Sequence, residues 1–420
     1  MQEFEKAVSI GANLNNKYFE VELNELNSLA QACNIKVVKT FTQNLDKINS
    51  SLYIGSGKVY EINEYINSND IDLVIFNNEL SPSQLRNIQK VINVPILDRT
   101  ALILQIFSKR ARTKEAKLQV EVAKLQYMLP RLIGLHTSFS RQGGGSGLSN
   151  KGSGEKKLEL DRRKIEDKLV ELNKEINLLE KSRKAQRKQR ENSNIPLVSL
   201  VGYTNAGKST ILNSLIDEYV PNEEKKVLEK DMLFATLDTS VRKIVIDNKK
   251  SFLLSDTVGF ISQLPHNLVK AFRSTLEEVK NADLLVHVID YSDENYMKNI
   301  EVTNNTLKEI GAEHVPVIYV YNKSDLMHIK IPKVKDNVIY MSASNKIGIK
   351  ELVEVICKNI YGEYFNCKML IPYEKSSILS YLVNNSIINK IDYIEEGSLL
   401  EASVNQRDYN KYNEYIIEEK

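Results

Sequence analysis

Residues 202–209 carry the glycines and side chains that hold nucleotide phosphates. They read Gly-Tyr-Thr-Asn-Ala-Gly-Lys-Ser and match the pattern G-x-x-x-x-G-K-[ST]. The glycines let backbone amides point at the phosphates, Lys208 supplies positive charge, and Ser209 offers a hydroxyl to Mg²⁺. An apolar strand precedes the motif and a helical pattern follows it, as this loop requires. The predicted phosphate contacts are Gly202, Tyr203, Thr204, Asn205, Ala206, Gly207, Lys208, Ser209 and Thr210.

Asp256-Thr257-Val258-Gly259 follows another apolar strand, about 50 residues beyond the phosphate loop. Many turns match Asp-x-x-Gly, so this tetrapeptide is informative only through its position. A carboxylate there can hold a water on Mg²⁺, and Gly259 has no side chain to keep its amide from the γ-phosphate. We predict that this segment contacts the γ-phosphate, and that Lys208, Asp256 and Gly259 act in catalysis.

Two later segments predict which base is bound. Asn322-Lys323-Ser324-Asp325 follows an apolar strand, and its aspartate can accept hydrogen bonds from guanine N1–H and the 2-amino group. Adenine lacks those donors and would leave the acceptors unpaired, so the motif selects GTP over ATP as substrate. The asparagine and lysine are expected to brace the loops and cover the ring. Ser342-Ala343-Ser344 fits the loop that supports the base, with the Ala343 amide near guanine O6.

The stretch between the phosphate loop and Asp256 should hold a threonine that contacts the γ-phosphate. Thr236 is the preferred candidate, with Thr239 as its rival, and Thr236 would join Ser209 as a ligand of Mg²⁺ and take part in catalysis. The predicted nucleotide contacts in this stretch are Phe234, Ala235, Thr236, Leu237 and Asp238.

Phe260 occupies the position at which many GTPases carry a water-orienting glutamine. A phenyl ring cannot orient water by hydrogen bonding. Hydrolysis should therefore rest on positioning and charge stabilisation, and be slow until a partner orders the site.

Alternating strand and helix patterns divide the chain into four predicted parts. The fold class is α/β, built around a P-loop GTPase domain with a doubly wound, mostly parallel sheet. A small α/β domain and a long α-helical hairpin precede it, and a small α/β domain follows it. The predicted boundaries are 1–108 for the N-terminal domain, 109–192 for the hairpin, 193–363 for the GTPase domain and 364–420 for the C-terminal domain.

Apolar residues spaced alternately four and three apart form two seams in the predicted hairpin. The seams are Leu118, Val122, Leu125, Leu129 and Leu132, and then Ile165, Leu169, Leu172, Ile176 and Leu179. Two such helices pack most simply as an antiparallel pair. The predicted connection, residues 133–155, holds seven of the chain's 17 glycines. A glycine-rich loop of that length points to function or disorder, because it cannot pack a core.

Charge is distributed unevenly along the chain. Between Lys109 and Glu191 there are 22 Lys or Arg against 11 Asp or Glu, which gives +11 within a chain whose net charge is +2. A solvated coiled coil explains charged residues outside the seams but not this twofold excess of bases. The basic run from Lys181 to Arg190 therefore predicts contact with RNA phosphates.

Bulk composition excludes several protein classes. No apolar run approaches the ~18 residues needed to cross a bilayer, and the N-terminus lacks a secretory signal. The three cysteines, Cys33, Cys357 and Cys367, are scattered and lack metal-binding spacing. We expect a cytoplasmic monomer with reduced thiols, without membrane insertion and without a DNA partner.

The chain resembles the HflX family of ribosome-associated GTPases. The resemblance rests on residues 202–210, 233–238 and 256–261, and on Gln142-Gly143-Gly144-Gly145 and residues 158–163 outside the nucleotide domain. It implies the four-part arrangement given above. It also implies binding to the large ribosomal subunit and its RNA, and splitting of stalled or idle ribosomes, with links to antibiotic resistance in some members.

Two departures from the family pattern bear on function. Residues 145–159 lack the proline and the Thr-Gln that the family's glycine loop usually carries, and Asp238-Thr239-Ser240 stands in place of Asp-Pro-Thr. Because the loop tip is altered, a specialised antibiotic-resistance paralogue is an open alternative to a housekeeping splitting factor. Two further alternatives are a GTPase that assists large-subunit assembly and a nucleotide-gated RNA-binding or helicase-like module.

Overall fold

A computed structural model describes residues 5–141, 151–191, 195–220, 240–246, 250–262, 273–362 and 364–419. These residues form two compact units. The first contains 5–141, 151–191, 258–262 and 273–277, and the second contains 195–220, 240–246, 250–257, 278–362 and 364–419. Residues 258–262 lie within the range predicted for the GTPase domain, and they belong to the first unit.

The first unit begins with a parallel four-stranded sheet in the order β2-β1-β3-β4. Alternate residues of β1 enter separate cores on its two faces, with Ala7 on one side and Val8 and Ile10 on the other. This confirms the predicted small α/β fold. Its strands are β1 (Glu5–Asn13), β2 (Ile35–Asn44), β3 (Leu73–Phe76) and β4 (Ile96–Asp98). Its helices are α1 (Phe19–Ala32), α2 (Ser56–Ser68), α3 (Pro82–Gln89) and α4 (Arg99–Arg110).

Helix α3 begins where Ser81-Pro82 predicts a helix start. The Ser81 hydroxyl accepts a hydrogen bond from the Gln84 amide at 3.2 Å, and the Gln84 side chain accepts one from the Ser81 amide at 2.9 Å. This reciprocal capping box satisfies two backbone donors that the first turn leaves open. Proline fits at the first helical position because the helix needs no amide hydrogen there.

Residues 258–262 pack into the core of the first unit. Val258 and Ile261 are buried together with α4 residues such as Leu102. The buried Arg99 guanidinium donates to the Ser262 carbonyl at 3.2 Å. Apolar burial and this charge-assisted hydrogen bond hold the segment in the first unit, which its position in the chain does not reveal.

Helices α5 (Lys114–Arg141) and α6 (Lys151–Glu191) form the hairpin. Val122 and Leu172 are buried, and the other eight seam residues are partly buried. Arg183 and Glu115 form an ion pair at 2.6 Å, and Lys114 and Glu175 form one at 3.1 Å. These cross-helix pairs match the predicted antiparallel arrangement.

The predicted connection over 133–155 is too long. Residues 133–141 continue α5 and residues 151–155 begin α6. Extending an established helix adds one hydrogen bond for each residue fixed, so the scattered glycines 134, 152 and 154 do not stop it. The glycines 143–145 and 147 lie outside the described residues.

The second unit contains a seven-stranded sheet in the order β10-β11-β9-β8-β5-β7-β6. Its central strands are parallel, while β6 and β10 pair antiparallel at the two edges. The strands are β5 (Leu197–Val201), β6 (Ser240–Val245), β7 (Ser251–Asp256), β8 (Leu284–Asp290), β9 (Val317–Asn322), β10 (Lys333–Lys335) and β11 (Val338–Tyr340). The helices are α7 (Lys208–Tyr219), α8 (Arg273–Lys280, shared with the first unit), α9 (Tyr296–Glu309) and α10 (Ile349–Tyr361). This is the predicted doubly wound pattern.

The last 56 described residues, 364–419, run strand-helix-strand-strand-helix-strand. Their antiparallel sheet has the order β13-β14-β12-β15, which is the ferredoxin-like arrangement. Its elements are β12 (Tyr364–Ile371), α11 (Ser376–Asn385), β13 (Ile387–Ile394), β14 (Gly397–Asn405), α12 (Gln406–Lys411) and β15 (Ile416–Glu419). Among the described helices of the whole chain, none combines the length and apolar character needed to cross a bilayer.

Candidate nucleotide-binding site

The phosphate loop joins β5 to α7, and its two glycines occupy positions that a side chain cannot share. Gly202 has φ +142°, and a Cβ there would lie 2.2 Å from the Val288 carbonyl oxygen. Gly207 has φ +96°, and a Cβ there would lie 2.2 Å from Asn322 Nδ2. The loop therefore needs glycine at both ends for close backbone approach. Helix α7 starts at Lys208, so its amino end faces the phosphate position.

The Lys208 side chain is buried against the phosphate loop. Its ammonium donates to the carbonyl oxygens of Gly202 at 3.0 Å and Tyr203 at 2.8 Å. Burial lowers the pKa of this ammonium to about 8, against a smaller opposing effect of the Asp256 carboxylate. A buried ammonium is costly unless an anion pairs with it, and the phosphates of a nucleotide would be that anion.

We expect nucleotide binding to take up protons above pH 8. Without nucleotide, the folded protein loses the Lys208 proton near pH 8, whereas the unfolded chain keeps it to about pH 10.4. The buried charge therefore lowers the stability of the folded protein fully below pH 8. This loss of stability is relieved as the pH rises from about 8 to about 10.4. Phosphate restores the charge, so GDP affinity should fall about fourfold from pH 7 to pH 8.5.

Calorimetry at pH 8.5 in two buffers of different ionisation enthalpy measures that uptake, which should be about 0.8 proton per GDP. Uptake near zero at pH 8.5, or an affinity that does not change over this range, would contradict the assignment of a depressed pKa to Lys208.

Asp256 lies at the end of β7, opposite the start of α7. Its fully buried carboxylate accepts a hydrogen bond from the Ser209 hydroxyl at 2.7 Å. The neighbouring Thr257 hydroxyl donates to the Leu200 carbonyl at 2.6 Å. These contacts bring two of the predicted residues together at the carboxyl edge of the sheet. Val258 and Gly259 follow directly in the chain and lie in the first unit.

Asn322 braces two loops that are predicted to surround the nucleotide. Its Nδ2 donates to the Ala206 carbonyl at 2.9 Å, and its Oδ1 accepts from the Ala343 amide at 2.9 Å. The side chain is 3% exposed. One amide group thus ties the phosphate loop to the Ser342-Ala343-Ser344 loop, as predicted for this position, and substitution would leave two buried backbone groups unpaired.

Asp325 presents an acceptor at the position predicted for the base. One carboxylate oxygen, Oδ2, accepts from Asn345 Nδ2 at 3.0 Å. The other, Oδ1, is buried and has no hydrogen-bond partner among the described residues. A buried acceptor without a donor is costly, and guanine N1–H would supply the missing donor.

Three residues of the site were not predicted. Asp290, at the end of β8, accepts from the Lys323 ammonium at 2.7 Å and so holds in place the lysine that is predicted to cover the base. Ser214 donates to the Ala343 carbonyl at 3.1 Å, and Asn345 orients Asp325. Asp290 had a usable signal, because it follows a buried parallel strand as Asp256 does. The other two had none in the sequence.

Phe234, Ala235, Thr236, Leu237 and Asp238, with the rival Thr239, lie outside the described residues. Phe260 is 2% exposed and lies in the first unit.

Four family descriptions match consecutive parts of the chain. They are a GTP-binding GTPase N-terminal domain over residues 20–108, a GTP-binding GTPase middle region over 110–190, a 50S ribosome-binding GTPase over 197–323 and an HflX C-terminal domain over 328–413.

Individual proteins match over most of their length. GTPase HflX of Caldanaerobacter subterraneus subsp. tengcongensis is 44% identical over 95% of this chain and 91% of that protein. GTPase HflX of Escherichia coli is 37% identical over 90% and 88%. Among solved structures, a Sulfolobus solfataricus GTP-binding protein in complex with GDP is similar at a TM-score of 0.45, with 25% identity over 84% of this chain and 98% of that one. By the identity and coverage of these relatives, the chain belongs to the HflX family of GTPases.

Proposed function

We propose that this GTPase binds the large ribosomal subunit, splits or rescues stalled ribosomes, and hydrolyses GTP faster when the ribosome is bound. The observation that carries the proposal is the presence in one chain of a guanine-nucleotide site and a strongly basic helical hairpin. The match of residues 197–323 to the family described as a 50S ribosome-binding GTPase supports it. Ribosomal RNA is the proposed partner of the hairpin.

Mg²⁺ is the proposed cofactor, and the described residues fit it. The Ser209 hydroxyl and an Asp256 carboxylate oxygen lie 2.7 Å apart beside the phosphate loop. In the described part of the chain, no three His, Cys, Asp or Glu side chains cluster as a metal site. Few protein ligands are expected for this ion, which takes much of its shell from phosphates and water. When bound, the ion would neutralise charge on the β- and γ-phosphates. Ser209 and Thr236 are the proposed ligands.

The protein's own contribution to hydrolysis is positioning and charge. Lys208 would hold the β- and γ-phosphates, Asp325 would fix the base, and the Gly259 amide would meet the γ-phosphate. The products are GDP and phosphate. Phe260 cannot orient the attacking water, so we propose that turnover is slow until the ribosome binds and supplies the missing stabilisation.

Ion pairs along α6 do not remove the excess of basic residues in the hairpin. Arg162 pairs with Glu166 and Lys168 with Glu171, so part of the helix is locally neutral. The helix nevertheless ends in the run Lys181–Arg190, which holds six Lys or Arg and no acid. Such a run favours phosphate contacts that release counterions and weaken with salt.

The altered glycine loop supports a specialised antibiotic-resistance role as a finer form of this proposal. Residues 145–159, of which 151–159 belong to α6, lack the proline and the Thr-Gln of the usual family loop. A changed sequence in this segment of the hairpin would change its contacts within the ribosome.

Sedimentation of intact ribosomes tests the proposal. Ribosomes are mixed with the protein and a non-hydrolysable GTP analogue, then separated on a gradient. We expect free subunits to accumulate, with the protein on the large one. Co-migration with free large subunits without splitting of intact ribosomes would favour the assembly GTPase. Failure to bind any particle would contradict ribosome binding altogether.

A further inference from the structure

The two carboxylate oxygens of Asp325 have different surroundings. Oδ1 is buried and has no hydrogen-bond partner among the described residues. Oδ2 accepts a hydrogen bond from the Asn345 side-chain amide at 3.0 Å. A carboxylate oxygen has two lone pairs, so Oδ2 keeps one acceptor position after Asn345 has used the other. Before a base binds, one oxygen therefore has a donor and the other does not.

The loop that carries Asn345 is closed by hydrogen bonds. The amide of Ser342 donates to the Ile347 carbonyl at 3.0 Å, and the amide of Ile347 donates to the Ser342 carbonyl at 2.9 Å. The Lys346 ammonium pairs with the Asp217 carboxylate at 2.9 Å and fixes the same loop to α7. A turn that is fixed in this way holds the Asn345 amide in position, so little ordering is needed when the base binds.

The backbone that carries Asp325 is fixed as well. Asp325 lies in a 3₁₀ helix over Ser324–Met327. The Ser324 amide donates to the Met341 carbonyl at 3.1 Å, and the Ser324 hydroxyl donates to the Tyr321 carbonyl at 2.7 Å. Because both partners lie on braced backbone, the contact between Asn345 and Asp325 is already formed when a base arrives.

We propose that Asn345 is a specificity-determining residue, which lets the site accept a purine without a 2-amino group. Guanine presents two donors to Asp325, N1–H and the 2-amino group, whereas hypoxanthine presents N1–H alone. When hypoxanthine binds, Oδ1 would accept from N1–H and Oδ2 would keep its hydrogen bond to Asn345. Neither oxygen would then be left without a donor. The inference rests on the proposed role of Asp325 in fixing the base.

Without Asn345, the same carboxylate should discriminate more strongly between the two bases. In an Asn345→Ala variant, guanine would still satisfy both oxygens of Asp325 through its two donors. Hypoxanthine would leave Oδ2 without a donor from the protein or the base, and a site built to receive hydrogen bonds rejects a ligand that lacks them. The variant should therefore lose more affinity for the inosine nucleotide than for the guanosine nucleotide, whereas a merely structural role of Asn345 would weaken both equally.

Competition against labelled GDP measures the affinities for GDP and inosine diphosphate. The unmodified protein should bind the two within about tenfold of each other, and Asn345→Ala should widen that ratio about a further fivefold. Lys346→Ala is the matched control, because it removes the ion pair with Asp217 from the same loop and keeps the Asn345 amide. We expect it to leave the ratio of the two affinities unchanged.

Either of two results would overturn the inference. One is a difference of about a hundredfold or more in the unmodified protein, which would mean that the site demands the 2-amino group despite Asn345. The other is an Asn345→Ala variant that has the same ratio as the unmodified protein. If Asp325→Asn keeps its affinity for GDP, the proposed role of Asp325 falls. If it loses that affinity while the ratio in Asn345→Ala stays fixed, only this inference falls.

Discussion

Asp325→Asn should lower the affinity for GTP about 10³-fold and create affinity for xanthosine triphosphate. The buried Oδ1 of Asp325 is an acceptor without a donor among the described residues, and guanine N1–H completes it. In the variant, the side-chain amide places an N–H donor against the 2-amino group of guanine. That group is also a donor, so no hydrogen bond forms between them. Xanthine carries a carbonyl oxygen in place of the 2-amino group and accepts from that amide.

Fluorescence titration with labelled GTP and xanthosine triphosphate measures both affinities. Gain of the xanthine nucleotide separates base recognition from damage to the fold, because an unfolded site binds neither. If Asp325→Asn kept its GTP affinity within a factor of ten, Asp325 would not be the guanine-reading residue.

Arg99→Met should destabilise the first unit by about 3 to 5 kcal/mol. Arg99 is 1% exposed, forms an ion pair with Glu25, and donates to Asn77 Oδ1 at 3.1 Å. Methionine fills much of the volume but removes the cation from a carboxylate whose side chain is 9% exposed. Urea unfolding followed by intrinsic fluorescence and circular dichroism measures the loss.

The double variant Arg99→Met/Glu25→Gln is the control for this prediction. Removing the remaining charge should recover a large part of the lost stability, because much of the loss comes from taking the Arg99 cation away from the partly buried Glu25 carboxylate. An additive or greater loss in the double variant would show that Arg99 acts through packing instead.

Local motifs predicted which loops meet at the candidate nucleotide site, because each motif belongs to a strand and the turn that ends it. The loop at 202–209 and the motif at 322–325 both follow buried parallel strands, so their side chains meet at one edge of the sheet. The bracing role of Asn322 was predicted from its motif. The contacts of Ser214 and Asn345 were not, because they depend on the distance between helices and loops that the chain order does not give.

Two features of the fold depended on packing that the sequence does not reveal. The placement of Val258 and Ile261 in the core of the first unit follows from contacts with residues about 150 positions away. The extent of α5 and α6 followed from helix propagation through isolated glycines, whereas composition alone predicted a longer loop. The antiparallel pairing of α5 and α6, which local spacing predicts, is seen in their ion pairs, while only Val122 and Leu172 of the predicted seams are buried.

The most direct test of the account is GTP turnover with and without the large ribosomal subunit. In the sequence, Phe260 stands at the position where many GTPases carry a water-orienting glutamine, and the same chain carries a basic hairpin, so we expect the ribosome to supply the stabilisation that the protein alone lacks. A stoichiometric mixture of protein and large subunit should raise turnover at least about tenfold over the protein alone. Equal rates with and without the subunit would contradict the account.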